Sequence, residues 1–238
     1  MLQMRSIEEV LEKVPNKKML VVFPHPDDES VMAGGLILRA IEKDWQVSVL
    51  TLTEGGRGKI HVHGRGRSAQ EIRRAEEVTA MAHLGVTDWI MWTFEDGHLR
   101  KQKGWRGRLK RFVRMFEPGV VVSYDLSGVS AHPDHICVSH TILRLARKKG
   151  FKLLWPAFVD ELVDERVRKY TQKPEWKLRL TLFESIKKWK AVFANKSQRL
   201  EEFVGLPIWL AVFRRREEYF SEMKPDKKYK YRYVKFKL

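Results

Sequence analysis

Short apolar runs alternate with amphipathic segments along most of the chain. Runs such as Met19–Phe23 and Val120–Tyr124 are typical of strands that are buried on both faces of a parallel sheet. The segments between them repeat apolar residues at helical spacing. This pattern predicts strands at 19–23, 47–52, 88–92, 120–124 and 153–156, and helices at about 30–43, 69–83, 105–115 and 136–149. Strands that alternate with helices indicate an α/β fold, a Rossmann-like parallel sheet flanked by helices.

The pattern changes after residue 157. Residues 158–170 and 181–203 have helical periodicity, and the second of these segments is rich in lysine and aromatic residues. No internal repeat or low-complexity linker separates them from the preceding part. We therefore expect one domain over residues 1–238, with a core at about 18–157 and a C-terminal helical and strand extension at about 158–238.

Composition restricts the cellular setting that we expect. The single cysteine, Cys137, excludes an intrachain disulfide, so a reducing, cytoplasmic location is predicted. Residues 1–10 have the pattern of a charged amphipathic helix rather than a signal peptide. No apolar run approaches the roughly 20 residues that a membrane span needs.

The chain carries a large excess of positive charge. Its 46 lysines and arginines exceed its 30 aspartates and glutamates, giving a formal net charge of +16, which attracts polyanions. From Tyr229 to Leu238 basic and apolar residues largely alternate, which predicts a strand with one basic face. That strand is either an edge protected by its lysines or a contact for anionic lipid headgroups, nucleotide-linked sugars or nucleic acid. Nucleic acid is the least favoured partner, because no recognised nucleic-acid-binding fold accompanies the pattern.

A cluster of ionisable residues follows the first predicted strand directly. His25, Asp27, Asp28 and Glu29 occupy one turn at the carboxyl end of that strand, where open α/β sheets usually bind their ligands. His25 and Asp28 can give one nitrogen and one oxygen to the same ion, which leaves Asp27 for another task. Glu29 is expected to be a first-turn carboxylate that the helix dipole favours.

A second cluster, from Asp125 to His135, follows the strand that ends at Tyr124. If the two strands are close in the sheet, His25, Asp28 and His135 can converge. Two imidazoles and a carboxylate with an open position are typical of a catalytic zinc site, since a structural site is closed by four protein ligands. The same donors also accept iron(II), cobalt or manganese.

Other polar residues near these clusters receive structural interpretations. Gly55–Gly58 follows the second predicted strand but does not fit the dinucleotide-binding fingerprint, so it is interpreted as part of an active-site rim. Arg74 and Glu77 are expected on the surface. Cys137 is expected to be a small buried thiol rather than a nucleophile.

Together the two clusters resemble the motifs of the PIG-L/LmbE family of zinc-dependent N-deacetylases. That family carries (P/A)HPDDE near the N-terminus and HPDH or HPNH near mid-chain, and Pro24–Glu29 and His132–His135 match them in the same order. The resemblance covers about residues 18–220. Further similar segments are Arg73-x-x-Glu76, Leu84-Gly85-Val86, Lys188-x-x-Ala191, Ser197-Gln198 and Glu218-Tyr219-Phe220. One departure is Asn195, where the family often has histidine or tyrosine.

The resemblance implies a role for each matching residue. His25, Asp28 and His135 would be the metal ligands. Asp27 would be the general base that takes a proton from a metal-activated water. The remaining implied roles are support of the oxyanion and a share in proton transfer by His132, orientation of His132 or a ligand by Asp134, binding of sugar hydroxyls by Arg73, and lining of the substrate pocket by Asp96.

The implied activity is that of a metal-dependent hydrolase that removes acetyl from an N-acetylated amino sugar, the N-acetylglucosamine moiety of a glycoconjugate. The implied cofactor is Zn²⁺, with Fe²⁺ or another divalent metal as the alternative. A hydrolase of a different amide, on a secondary metabolite, stays open. A non-catalytic, basic polyanion-binding protein is less favoured, because all candidate ligands and Asp27 are intact. The family also implies a homo-oligomer.

Overall fold

A computed structural model of the protein describes residues 4–157, 165–166, 168–200 and 205–229. Its centre is one sheet of eight strands in the order β1-β7-β8-β6-β5-β2-β3-β4. The strands are β1 (Arg5–Ser6), β2 (Lys18–Phe23), β3 (Gln46–Thr53), β4 (Asp88–Phe94), β5 (Val120–Val122), β6 (Lys152–Ala157), β7 (Trp176–Arg179) and β8 (Glu217–Glu222).

Helices cover both faces of this sheet. They are α1 (Glu8–Leu11), α2 (Asp28–Glu42), α3 (Ala69–Leu84), α4 (Trp105–Phe116), α5 (Gly128–Ala131), α6 (Pro133–Lys149), α7 (Leu182–Ala194) and α8 (Ile208–Arg214). Short 3₁₀ turns lie at Arg168–Tyr170 and Lys196–Gln198. None of the helices in the described part of the chain is long and apolar enough to cross a membrane.

The predicted alternation of strands and helices is confirmed from β2 to β6. The helix expected over residues 1–10 is wrong in the part that is described, because Arg5–Ser6 pairs as a strand and only Glu8–Leu11 is helical. The helix expected over 181–203 ends at Ala194. Of the helix expected over 158–170, the described residues form a turn at 165–166 and the 3₁₀ turn at Arg168–Tyr170, and the remainder lies outside the described residues. The strand expected from Tyr229 to Leu238 also lies outside them, apart from Tyr229.

The direction of the strands explains where a ligand can bind. β2 pairs in parallel with β3 on one side and with β5 on the other, with Val21 opposite Val122. The chain therefore leaves β2 in one direction across the sheet and later returns to its other side. In open α/β sheets a crevice forms at such a switch point, outside the carboxyl ends of the strands. β8 is antiparallel to both β6 and β7.

Alternate residues of β2 pack into two separate cores. Met19, Val21 and Phe23 face one hydrophobic cluster, whereas Leu20 and Val22 face the other. This period of two is what a strand buried on both faces requires. The continuous apolar run in the sequence is therefore explained by helices on both sides of the sheet.

A buried carboxylate attaches the C-terminal part of the sheet to α2. Glu218 on β8 accepts hydrogen bonds from the backbone N–H groups of Gly35 at 2.7 Å and Leu36 at 2.9 Å. The Lys188 ammonium on α7 lies 2.7 Å from the same carboxylate, and both side chains are buried. Glycine is needed at position 35 because a Cβ there would collide with Leu180 and with the Glu218 carboxyl group.

Candidate active site

A cavity of about 450 Å³ lies where the loops after β2, β3, β4 and β5 meet. Parallel pairing of β2 with β5 places the two sequence clusters side by side at the carboxyl ends of these strands. Of the predicted site residues, all but Asp134 line the cavity: His25, Asp27, Asp28, Arg73, Asp96, His132 and His135. The convergence that the sequence predicted is therefore present in the fold.

Three donor atoms come together in this cavity. His25 Nδ1 lies 3.1 Å from His135 Nε2 and 3.6 Å from Asp28 Oδ2, and His135 Nε2 lies 3.9 Å from Asp28 Oδ2. His132 also brings a ring nitrogen within 4.8 Å of donor nitrogens of His25 and His135. Burial opposes charge on Asp28, but His135 and His25 outweigh it and lower the pKa of this carboxyl to about 2. Asp28 is therefore a charged oxygen donor beside two imidazoles.

Two of these donors are oriented by a second polar contact. The Tyr124 hydroxyl donates to Asp28 Oδ1 at 2.5 Å, which leaves Oδ2 directed at the imidazoles. His135 Nδ1 lies 2.9 Å from the carbonyl oxygen of Gly128, so this nitrogen carries the proton and Nε2 keeps its lone pair. The sequence pattern indicates Tyr124 only as a strand residue, and its place beside Asp28 is evident only in the fold.

His25 lies between the donor cluster and two carboxylates. Its Nε2 is 3.0 Å from Asp96 Oδ1 and 3.6 Å from Asp134 Oδ2. Asp134 already accepts the backbone N–H groups of Gly97 at 2.8 Å and Leu99 at 3.0 Å. Burial opposes charge on His25, but the surrounding carboxylates, Asp134 foremost, raise its pKa well above the usual value. Asp96 is thus the carboxylate closest to the outer nitrogen of this ring.

Asp27 is held in a conformation that few residues other than glycine adopt. Its φ is +86°, in the left-handed region, and such strain tends to occur at functional sites. Arg73 Nη1 lies 3.1 Å from Asp27 Oδ2, and Arg73 Nη2 donates to the carbonyl oxygen of Pro26. Burial raises the pKa of Asp27 to about 6, against the opposing effect of Arg73. A carboxylate with a pKa near neutrality is suited to accepting and returning a proton.

His132 stands at the start of α6 with a defined tautomer. Its Nδ1 accepts the backbone N–H of Asp134 at 3.3 Å. Burial and the nearby His25 lower the pKa of His132, which favours the neutral ring. In the neutral ring the proton then resides on Nε2, which can donate a hydrogen bond to a ligand in the cavity.

The rim of the cavity contains residues from three further segments. Gly55, Arg57 and Gly58 line it, as expected for the glycine-rich stretch, together with His98 and Gln198. Arg57 Nη1 lies 3.3 Å from His98 Nε2. Asn195 does not line the cavity, because it is buried and donates to the carbonyl oxygen of Ala191.

Two buried glutamates lie behind Asp27 and Arg73. Ser30 donates to Glu29 at 2.6 Å and Thr51 donates to Glu77 at 3.1 Å. Burial raises the pKa of Glu29 to about 7 and that of Glu77 well above the usual value. The expectation that Glu77 is exposed is wrong, because it lies one helical turn after Arg73 and shares the inward face of α3.

The family model for PIG-L, described as GlcNAc-PI de-N-acetylase, matches residues 20–146, more than half of the chain. The chain belongs to the PIG-L family. The matched segment runs from β2 into α6 and therefore includes both His/Asp clusters. The family resemblance that the two motifs indicated is confirmed.

The similarity to one curated protein extends over part of its length. A 1D-myo-inositol 2-acetamido-2-deoxy-alpha-D-glucopyranoside deacetylase of Streptomyces avermitilis is 31% identical over 178 residues, which are 64% of this chain and 59% of the relative. This chain therefore spans about three fifths of the length of that relative.

Solved structures share the fold over nearly the whole chain. The N,N'-diacetylchitobiose deacetylase from Pyrococcus horikoshii superimposes with a TM-score of 0.65 and 22% identity, over 91% of this chain and 90% of that one. The 4-carboxy-2-hydroxymuconate hydratase GalB from Pseudomonas putida superimposes with a TM-score of 0.64 and 20% identity, over 90% of this chain and 98% of that one. Because a hydratase has this architecture too, the fold alone does not define the reaction.

The donor set fits the metal dependence of the PIG-L family. Two facing ring nitrogens cannot both keep their lone pairs at 3.1 Å without a proton or a cation between them, and His135 Nε2 is left unprotonated by its contact with Gly128. Asp28 adds a negative charge at the same point. Nitrogen, nitrogen and oxygen donors with ordered partners behind them are what a first-row divalent cation binds.

Proposed function

We propose that this protein is a metal-dependent N-deacetylase that hydrolyses the acetamide of an N-acetylated amino sugar, the N-acetylglucosamine part of a glycoconjugate. The observation that carries the proposal is the position of the Asp27 carboxylate next to the donors of His25, Asp28 and His135 in one cavity. The substrate class is supported by the relatives, whose names describe deacetylases of a 2-acetamido glucoside and of diacetylchitobiose.

Zinc is the metal that we propose for His25, Asp28 and His135. Two imidazoles and one carboxylate leave open positions, as in catalytic zinc sites, although iron(II) accepts the same donors. A divalent cation in this position would lower the pKa of a water molecule and polarise the acetamide carbonyl.

We assign the proton transfers to Asp27. Its carboxylate accepts a proton from the attacking water and later returns it to the amine nitrogen as the C–N bond breaks, so that the products are acetate and a free amine. The raised pKa of Asp27, about 6, supports both roles. Arg73 is assigned to positioning, since its guanidinium contacts Asp27 and Pro26 and is almost completely buried.

His132 is assigned to the developing oxyanion. With Nδ1 accepting from the Asp134 backbone, Nε2–H is the group that can donate into the cavity. A preorganised donor of this kind contributes most where negative charge appears in the transition state. Asp134 supports the arrangement through its bonds to Gly97 and Leu99, which fix the loop after β4 against α6.

The test is acetate release from a panel of N-acetylglucosamine compounds: the free sugar, N,N'-diacetylchitobiose and an N-acetylglucosaminyl inositol. Zinc-loaded wild type is compared with Asp27→Ala and with Asp88→Ala, an exposed carboxylate at the start of β4. We expect a loss of roughly 10²-fold or more for Asp27→Ala, the scale of a missing general base, and none for Asp88→Ala.

The other outcomes identify which step of the reasoning fails. If Asp27→Ala releases acetate as fast as wild type, Asp27 is not the base. If wild type binds zinc but releases acetate from no sugar, acetamido sugars are the wrong substrates, and amides of other metabolites become the next panel. If the protein binds no divalent metal, the metal-dependent mechanism is wrong.

A further inference from the structure

Exposed apolar side chains concentrate on one pair of helices. In the described part of the chain eight large hydrophobic residues are exposed, and five of them lie on α7 and α8. These five are Leu182, Phe183, Ile208, Trp209 and Phe213. None of them lines the cavity of the candidate active site. We call this surface, with the basic residues named below, the aromatic–basic face.

The aromatic rings on this face are presented by well-packed helices. Phe183, Trp209 and Phe213 are 66%, 65% and 61% exposed. Trp209 and Phe213 are one helical turn apart and therefore share a side of α8. The opposite sides of the two helices are packed, since Ala211 and Val212 lie in one hydrophobic cluster with residues of α7. The exposed rings are therefore held on packed helices and do not belong to a loop.

Unpaired positive charge borders these rings. Lys187 and Lys190 lie on α7, and Arg214 and Arg215 lie at the end of α8. None of the four has a carboxylate within salt-bridge distance among the described residues. The Lys187 ammonium is 4.4 Å from the centre of the Phe183 ring.

The one acidic residue of α7 does not neutralise this face. Glu184 is buried, and its carboxylate bonds Arg39 through both oxygens, at 2.6 and 2.8 Å. The exposed surface of the two helices therefore combines aromatic rings with net positive charge, within a chain whose formal charge is +16.

We propose that the aromatic–basic face docks the protein on an anionic bilayer surface. Trp209, Phe213 and Phe183 would enter the boundary between headgroups and acyl chains, and the lysines and arginines would meet lipid phosphates. A two-fold contact with a second copy of the chain fits this face less well, because it would bring basic residues against basic residues. The docking does not depend on the reaction proposed above.

The test is co-sedimentation of the full chain with vesicles of phosphatidylcholine, with and without phosphatidylglycerol. We expect binding only to the anionic vesicles, weakened by salt. Trp209→Ser/Phe213→Ser should reduce the partition coefficient about tenfold or more, by loss of buried apolar area. Arg214→Gln/Arg215→Gln should reduce it roughly fivefold per residue.

Val78→Ser/Met115→Ser is the matched control, because it removes two apolar side chains that are 52% and 80% exposed on other helices. It should bind vesicles like wild type. Brominated phosphatidylglycerol should quench wild-type tryptophan fluorescence, and Trp209→Phe should lose most of this quenching while it still binds. Unfolding midpoints of all variants should match wild type, since every substituted side chain is exposed.

Three results would overturn the proposal. In the first, wild type does not bind anionic vesicles. In the second, Trp209→Ser/Phe213→Ser binds them as tightly as wild type, which assigns binding to another basic surface, such as α4. In the third, the protein forms oligomers that this double variant abolishes, without vesicle binding, which assigns the face to a second copy of the chain.

Discussion

Asp96→Ala is expected to weaken metal binding, although Asp96 is not one of the three donors. His25 offers Nδ1 to the donor cluster, and its Nε2 lies 3.0 Å from Asp96 Oδ1. Asp134 is farther away at 3.6 Å, and both of its oxygens already accept backbone N–H groups. Asp96 is therefore the nearer of the two carboxylates that can keep the proton on Nε2 and the lone pair on Nδ1.

The size of the effect follows from that geometry. Loss of a carboxylate that orients a metal-bound histidine costs about 10- to 100-fold in affinity, or about 1.4 to 2.8 kcal/mol. Because Asp134 can take over part of the contact, we expect the lower part of this range, about 10- to 30-fold. Asp96→Asn should lose less affinity than Asp96→Ala, since an amide oxygen can also accept a hydrogen bond from Nε2.

The assay is zinc competition between the metal-free protein and a chromogenic chelator. Glu95→Ala is the control, because Glu95 is the adjacent carboxylate and bonds His98 rather than His25. Asp96 was also expected to contact substrate, and the two roles give different results. If Asp96→Ala binds zinc like wild type and only raises KM for the sugar, the orienting role is refuted.

Three further predictions concern residues around and behind the site. Tyr124→Phe removes the hydrogen bond to Asp28 and should weaken zinc binding roughly tenfold or more; unchanged affinity with a lower kcat would place the hydroxyl in the reaction instead. Glu218→Ala leaves Lys188 buried without its partner and should lower the free energy of unfolding in urea by about 3–5 kcal/mol. Strictly additive losses in the double variant with Lys188→Met would contradict coupling of that pair. Burial and Arg144 lower the pKa of His140 to about 4 from 6.5, so between those values the unfolded chain binds a proton that the folded chain does not, and stability falls as pH decreases. His140→Leu should reduce the loss between about pH 7 and pH 5 by roughly 1–2 kcal/mol, allowing for partial solvent screening, and equal losses in both proteins would refute this.

The donor positions could be predicted from the sequence because their signals are local. Each cluster follows an apolar run that predicts a strand. His25–Asp28 follow the first run and Asp125 follows the second, so both clusters are placed at the carboxyl end of a strand. Parallel strands bring their carboxyl ends to the same edge, so the only non-local requirement was that β2 and β5 be neighbours. That requirement is met by direct pairing.

The partners behind the donors could not be predicted in this way. Tyr124 and Asp28 are 96 positions apart, and nothing in either segment indicates their hydrogen bond. Glu218 is separated by 183 positions from Gly35, whose N–H it accepts. A glutamate on a helix predicts a surface position, and nothing in the sequence indicates that the face shared by Glu77 and Arg73 is buried. Such contacts depend on packing between distant elements.

The position of β8 between β6 and β7 sets an order of events during synthesis. Among the described strands β1 pairs with β7 alone, as Arg5 does with Trp176, and β7 joins the rest of the sheet through β8, as Trp176 does with Phe220. β1 is synthesised early, but it can join the sheet only after β8 (Glu217–Glu222) has been synthesised, because β8 connects β7 to the rest of the sheet. Contacts of such long sequence separation form slowly. We infer that this edge of the sheet is assembled after translation has passed β8, and that the nascent chain holds an unpaired edge until then.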